Sequence, residues 1–564
     1  MMTKVFPLDV GRHSGLARTK GCLTLLTAML LLTMPSAHAA AAPADQRPNV
    51  LLIMADDLGY SDIGSFGGEI ETPHLDRLAA EGLRFTQFYN ATRCSPSRAS
   101  LLTGLYPHQT GVAETPDFIP RPPKYLPHLS PNSVTLAQVL RAAGYRTMLS
   151  GKWHLGMERP HWPTDHGFEN FFGMIDYGGS HFGNDHVHQT PGKTDKFFRS
   201  LWAKDGEPFT PPDTGFFSTD AFGENAVQFL DRVGGDRVGG GKAPFFLYLA
   251  FMAPHWPLHA LPEDIAKYRG RFMEGWDVLR LRRWERMRKL GVLPPHLELA
   301  PRGTGIPAWK DLSEPEKIKW DHLMAVYAAM IDGMDRQIGR VLAKLAELDE
   351  ADNTLVLFLS DNGGSPEQIN RGRAGALPGT PESFFGYGMP WANLSNTPFR
   401  LFKAETHEGG IATPLIVRWP RGVKSPGRIV AGAGHLIDIM PTILEVTRAR
   451  YPVRFAGSKI LPVEGRSLVP AFSGRPVPGR RQFFWEHWGH RAVRDGRWKL
   501  VSSKAGPWEL YDMEQDRTEL RDLAAQQPER VREISAAYDR WAARAGAVPY
   551  PFPIKHDQVT SPPF

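Results

Sequence analysis

Five short apolar runs, each bounded by polar or turn residues, constrain this 564-residue chain more than any other feature. They are Val50–Met54, Tyr145–Leu149, Phe245–Ala250, Leu355–Leu359 and Pro414–Trp419. Continuous runs of this length suit strands buried on both faces, as in a parallel sheet. Helical stretches lie between them, at Thr72–Glu81, Ser133–Ala143 and Met324–Leu348. The alternation predicts an α/β fold, a large and mostly parallel sheet sandwiched by helices. The residues just beyond each run are equally informative. Val50–Met54 leads into Asp56 and Asp57, and Tyr145–Leu149 into Lys152 and His154. Phe245–Ala250 leads to His255, and Leu355–Leu359 to Asp361 and Asn362. Open α/β sheets bind ligands outside the carboxyl ends of their strands, so one crevice is expected to collect these groups.

The composition, 42% hydrophobic and 22% charged, excludes a disordered chain. Residues 1–39 read as a signal peptide. Lys4, Arg12, Arg18 and Lys20 precede the apolar run Leu23–Met34, and Ala37-His38-Ala39 supplies a small-x-small cleavage pattern. That run is too short for a membrane span, and no later segment reaches roughly 18 uninterrupted apolar residues. The expectation is an exported protein, periplasmic or extracellular, with no membrane span after cleavage. The net charge is +6, half of it in the leader, and the remainder implies neither nucleic acid nor an anionic membrane as partner. Of the two cysteines, Cys22 and Cys94, only Cys94 survives cleavage. An unpaired cysteine in an oxidising compartment invites intermolecular pairing, reaction or chemical conversion.

A main catalytic domain over 47–474 is expected to be followed by a smaller α+β subdomain over 475–564. Phe483–Trp485, Ala492–Val501 and Trp508–Asp512 have strand character, Asp495-Gly496 is a hairpin turn signal, and Pro528–Ala545 reads as a terminal helix. These elements predict a small antiparallel sheet plus helix. The segment Leu261–Arg302 reads as an insertion in which Arg280, Arg282, Arg283, Arg286, Arg288 and Lys289 crowd around Trp284. A solvated helix face is favoured there over a basic rim for an anionic substrate. The polar stretches Asp176–His181 and Asn184-Asp185-His186 are candidates to line a substrate mouth. His181, His186 and His188 lack zinc-site spacing.

Around Cys94 the chain reads Cys94-Ser95-Pro96-Ser97-Arg98-Ala99-Ser100-Leu101-Leu102-Thr103-Gly104. This resembles the type I sulfatases of the alkaline phosphatase superfamily, whose C-x-P-S-R-x-x-x-L-T-G signature is met at every fixed position. A second stretch follows at Gly144-Tyr145-Arg146-Thr147 and Gly151-Lys152-Trp153-His154-Leu155-Gly156. The resemblance runs from Pro48 into the C-terminal segment, which is most like bacterial arylsulfatases, and implies an alkaline phosphatase-like fold. It also implies that a maturation enzyme oxidises Cys94 to Cα-formylglycine, whose hydrate is the nucleophile.

Hard divalent cations take oxygen ligands, and Asp56, Asp57, Asp361 and Asn362 offer them from two strand ends. That set admits calcium or magnesium; the resemblance implies one calcium, with an oxygen of the modified Cys94 completing the shell. Fixed cations suit a sulfate ester, whose transition state spreads negative charge over its oxygens. The resemblance implies catalytic roles for Cys94, Arg98, Lys152, His154, His255, Lys403 and Asp361. In the implied double displacement Asp361 helps deprotonate the nucleophile and His255, assisted by Lys403, serves the leaving group. His154 takes the proton that releases sulfate. The expected reaction is hydrolysis of a sulfate monoester, aryl or carbohydrate. The alternative is a phosphodiester or phosphonate monoester hydrolase of the same superfamily, and a non-catalytic carbohydrate-binding relative is a reading from another class.

Overall fold

The computed structural model describes residues 47–551 apart from 117–120, 184–199, 236, 239–240 and 478–481. The leader, Asn184-Asp185-His186 and His188 therefore lie outside the described residues.

Among the described residues one sheet of eleven strands runs through the molecule. In chain order these are β1 (Asn49–Ala55), β2 (Leu83–Tyr89), β3 (Arg146–Gly151), β4 (Asn170–Met174), β5 (Trp202–Lys204) and β6 (Glu207–Phe209). They continue with β7 (Phe245–Ala250), β8 (Thr354–Ser360), β9 (Ala412–Arg418), β10 (Arg428–Val430) and β11 (Gly434–His435). The spatial order is β10-β2-β9-β8-β1-β7-β3-β4-β5-β6, with β11 also on β2. The central five, β8 to β4, are parallel. Their registers align the ends: Ala55 pairs with Ser360, Met54 with Ala250, and Ala250 with Gly151. Four strands thus deliver their next residues to one edge.

Both faces of the sheet are covered, as the continuous apolar runs require. Leu51 and Ile53 of β1 join a core with α4 (Ser218–Gly235) and α6 (Glu314–Glu347). Val50, Leu52 and Met54 point the other way, toward α2 (Cys94–Thr103) and α3 (Leu136–Ala142). All seven residues of β1 are buried. Each fully buried aliphatic side chain contributes about 1.5–3 kcal/mol, so the central strand anchors both layers. Other helices are α1 (Pro73–Ala80), α5 (Gly275–Lys289) and α7 (Pro528–Ala545).

Two sheet expectations change. The run expected at Pro414–Trp419 is β9, but it pairs antiparallel with both neighbours. Burial on both faces makes such a run look parallel whatever its direction. β2 lies outside the five expected strands, because Arg84 and Gln87 interrupt its apolar residues and only partly escape burial. The helix expected from Met324 starts at Glu314, where Ser313 and Glu316 form a capping box.

The basic segment also differs from a solvated helix face. Arg280 and Arg283 are buried in α5. Arg280 donates to the carbonyls of Asn393 and Ala300. Arg283 pairs with Asp62 at 2.8 Å and Glu69 at 2.7 Å. The two fall on one face because positions three apart lie together on a helix. Arg282, by contrast, is exposed and pairs with Glu274.

The C-terminal strands β12 (Gln482–His487), β13 (His490–Asp495), β14 (Trp498–Ser502) and β15 (Glu509–Asp512) form an antiparallel meander. Its faces alternate by residue. Phe483, Trp485, Ala492, Val501 and Tyr511 pack into the main core, whereas Val493, Leu500 and Leu510 pack against Ile534, Tyr538 and Trp541 of α7.

Candidate active site

The site is built where the parallel strands end. Beyond β1 stand Asp56 and Asp57; beyond β8 stand Asp361 and Asn362; beyond β3 stands Lys152; all five are buried. The Lys152 Nζ lies 2.6 Å from Asp56 Oδ2. Arg98, one turn into α2, reaches Asp56 at 3.5 Å and Asp361 at 3.3 Å, and donates to the Lys152 carbonyl. Lys403 arrives from the loop before β9 and sits 2.8 Å from Asp57 Oδ1. His255 Nε2 lies 3.6 Å from Asp57 Oδ2, and its Nδ1 donates to the Trp256 carbonyl. Cys94 opens α2 with every residue of that helix buried. Ligand atoms of Asp56, Asp57, Cys94 and His255 all lie within 4.8 Å of one another.

This convergence strains the backbone. Asp57 (φ 67°), Thr92 (φ 70°), His154 (φ 57°), Leu401 (φ 64°) and Ala404 (φ 76°) are all left-handed without being glycine, and each is or lies within two residues of a site residue. Such conformations cost on the order of 1–3 kcal/mol apiece and persist where the surroundings over-determine them. The turns after β1 and β8 are tied together by the Asp57 N–H donating to Asp361 Oδ1. Asn362 Nδ2 donates to Asp57 Oδ1 at 2.6 Å.

Charge is finely divided here. Burial opposes ionisation of Asp56, yet Lys152, His255 and Arg98 overcome it and hold its carboxyl well below the usual range. Burial and the neighbouring Asp56 charge push Asp361 well above that range. Burial lowers His255, against the pull of Asp57. Burial opposes the charge on Lys403, but Asp57 raises it well above the ordinary lysine value. Burial pushes the Cys94 thiol up to about 12, despite Lys152 and Lys403. As a thiol it is protonated at neutral pH and a poor nucleophile.

The donors suit a hard cation. Asp56 Oδ1 and Asn362 Oδ1 are buried without a hydrogen-bond partner, and burial with the Asp56 charge pushes the Asp361 carboxyl toward its protonated form. A divalent ion among these oxygens would satisfy both deficits. Of the expected site residues, Asp56, Asp57, Cys94, Arg98, Lys152, His255, Asp361, Asn362 and Lys403 join one network. His255, expected only in catalysis, also stands at ligand distance. His154 is buried, and its ring centroid lies 6.2 Å from that of Tyr177.

Four residues escaped the sequence reading. Glu367 accepts from Trp256 Nε1 and, at 2.8 Å, from Ser365 Oγ. Burial opposes its charge, but Lys403, Arg93 and the Trp256 N–H hold it at about 2. Arg93, just before Cys94, lies over the Trp488 indole at 5.3 Å, and Trp488 Nε1 donates to Glu114. Adjacency to His255 and Cys94 was the available signal for Trp256 and Arg93. Glu367 and Trp488 reach the site only through the fold. His181 is buried and commits both ring nitrogens to Ser218 and the His255 carbonyl, which is the bonding of a structural histidine.

Residues 48–449 match the family model described as Sulfatase, and residues 399–537 match that described as N-sulphoglucosamine sulphohydrolase, C-terminal. An uncharacterised sulfatase of Schizosaccharomyces pombe is 36% identical over 90% of this chain and 95% of its own length. An arylsulfatase of Klebsiella aerogenes is 34% identical over 79% of this chain and 95% of its own. The solved structure of Ps i-CgsB in complex with k-i-k-neocarrahexaose superposes with a TM-score of 0.65 and 25% identity, covering 88% and 93% of the two chains. A family match spanning most of the chain joins a buried cysteine facing acidic, basic and histidine side chains at the strand ends. On these grounds the chain belongs to the sulfatase family, the enzymes that hydrolyse sulfate esters.

Proposed function

We propose that this chain is an exported sulfatase that hydrolyses aryl or carbohydrate sulfate monoesters, using one calcium ion and a formylglycine made from Cys94 by a maturation enzyme. One observation carries the reading. The cysteine of the sulfatase signature is a buried thiol pushed up to about 12, surrounded by Asp56, Asp57, His255, Lys152 and Lys403. A cysteine so disfavoured as thiolate serves poorly as a direct nucleophile, which favours a reading in which its oxidised form does the work. The Klebsiella arylsulfatase and the neocarrahexaose complex support aryl and carbohydrate esters as the two candidate classes.

Asp56, Asp57, Asp361 and Asn362 would hold the ion, with Cys94 and the substrate completing its shell. When bound, the ion supplies positive charge to sulfate oxygens and lowers the proton affinity of the nucleophile. When formed, the formylglycine hydrate supplies an attacking hydroxyl and a second one whose deprotonation expels sulfate. Arg98 fixes the start of α2 and the Asp361 carboxylate, and so orients the nucleophile. Lys152 and Lys403 offer fixed positive charge to the sulfate oxygens. His255, its Nδ1 proton held by the Trp256 carbonyl, would as an imidazolium donate its Nε2 proton to the leaving oxygen. His154 accepts the proton lost as sulfate departs. The signal-like leader supports export, and among the described residues no helix is long and apolar enough to cross a membrane.

The test is the mass of the tryptic peptide Cys94–Arg98 together with sulfate release from an aryl sulfate and its phosphate analogue. An aldehyde or its hydrate with faster sulfate release supports the reading. A plain thiol in active protein, or preferential hydrolysis of the phosphate ester, overturns it.

A further inference from the structure

An aromatic corner lies beside the two histidines of the site. Tyr177 lies on the stretch after β4, half-buried, with its ring centroid 6.2 Å from that of His154. The same ring is 6.2 Å from the half-buried Trp256 indole, the planes inclined at 65°. The chain then passes over His255, since a Cβ on Gly178 would stand 3.6 Å from His255 Cε1. Trp256 is held from behind. Its Nε1 donates to the Glu367 carboxylate, itself fixed by Ser365, and its ring rests 5.7 Å from the buried Phe384. Two large rings are thus set at an angle next to the groups that flank the departing oxygen.

We propose that Tyr177 and Trp256, the latter anchored by Glu367, form the wall against which the leaving group stacks, so that the alcohol released is borne on a ring. Aromatic faces favour a flat, rigid surface in offset or edge-on contact. A ring presents such a face without freezing rotors, whereas an alkyl chain must give up rotor entropy to lie against the same wall. An aryl ring and the C–H face of a pyranose both meet the requirement. This inference rests on the sulfatase reading and adds the residues that select the group it releases.

The experiment uses the full chain with Cys94 conversion verified by mass. Initial rates are measured for p-nitrophenyl sulfate, glucose 6-sulfate and hexyl sulfate; the last two both release a primary alcohol, so their ratio reports the ring. Tyr177→Ala should lower kcat/KM for both ring esters by about fivefold to tenfold, through KM, while hexyl sulfate changes less than about twofold. Retained hexyl sulfate turnover also certifies the fold. Tyr177→Phe should restore the ring preference. Glu367→Gln, which keeps an acceptor for Trp256, should preserve the ratio of ring to acyclic substrate, and Glu367→Leu should lose it. Loss for only one of the two ring esters tells aryl from pyranose as the ring accommodated. Equal losses on all three substrates, or a Tyr177→Phe variant as impaired as Tyr177→Ala, would overturn the wall. Wild-type protein with converted Cys94 that released sulfate from none would overturn the sulfatase reading, and the wall with it.

Discussion

At the scale of single residues, Cys94 concentrates the chemistry. Its sulfur shares a pocket with two carboxylates and His255, and burial raises its proton affinity even though two lysines oppose that. A serine in this place would keep the oxygen but, unmodified, would have only one hydroxyl. After attack on sulfur its ester would lack a second hydroxyl to expel sulfate. Cys94→Ser is therefore expected to lose about a thousandfold or more of steady-state turnover. Burst kinetics with p-nitrophenyl sulfate check this: at most one equivalent of phenol should be released per enzyme. Sustained turnover by the variant with its serine unmodified would rule out the proposed route. The surrounding residues were legible in the sequence to different depths. Asp56, Asp57, Lys152 and Asp361 could be placed because each lies within three residues of the end of an apolar run, and parallel strand ends converge. The run Phe245–Ala250 likewise points to His255, with its role given by the resemblance, whereas Lys403 lies in a long loop and only the resemblance assigns it. Glu367 carried no sequence signal, because its partners Trp256 and Ser365 meet it through loop packing.

At the scale of elements, α5 shows where reading by residue type falls short. Six cations around one tryptophan suggested a solvated face, yet Arg283 is one of the largest fully buried side chains described. It holds Asp62 and Glu69, and Asp62 in turn accepts from the Gly59 N–H and the Tyr327 hydroxyl. The helix is thereby tied to the turn just after Asp56 and Asp57. Burial opposes the charge on Arg283, while Glu69 and Asp62 hold it far above loss of its proton. Removing one partner from such a cluster strands the other charge, at a cost of about 3–5 kcal/mol. Arg283→Met should lower the thermal midpoint markedly, whereas Arg282→Met, on an exposed pair, should change stability by less than about 1 kcal/mol. Urea unfolding of the two variants measures the contrast; equal small effects would mean that the buried cluster contributes little. Element directions were hidden for a related reason. β9 is buried on both faces like its parallel neighbours, so its apolar run carries no mark of orientation.

At the scale of the whole molecule, the C-terminal meander closes against the loop that carries Lys403. Glu408 is bound at 3.0 Å by Lys499 of β14 and at 2.7 Å by Arg517, and Lys499 also reaches Glu519 at 2.7 Å. Burial opposes ionisation of Glu408, but Lys499, Arg517 and Arg494 hold it at about 2. Elsewhere burial lowers His181 to about 4, and burial, followed by Arg93 and His490, drives His487 well below the ordinary value. The signs define two acid windows. Between about pH 6.5 and 4 the unfolded chain takes protons on these histidines that the folded chain refuses, so stability falls as pH falls. Below about pH 4.5 the unfolded chain begins to protonate the carboxylate that Glu408 keeps ionised until about 2, so a second loss begins there. The thermal midpoint measured by calorimetry from pH 8 to pH 3 should be nearly level above 6.5, then decline, then decline further below 4.5. His487→Asn should flatten the first decline. Glu408→Gln should flatten the second while lowering stability at neutral pH, because Lys499 and Arg517 lose their counter-charge. A wild-type midpoint that stayed level down to pH 4.5 would show that the buried histidines do not set the acid limit, leaving the carboxylate cluster between the two sheets as its source.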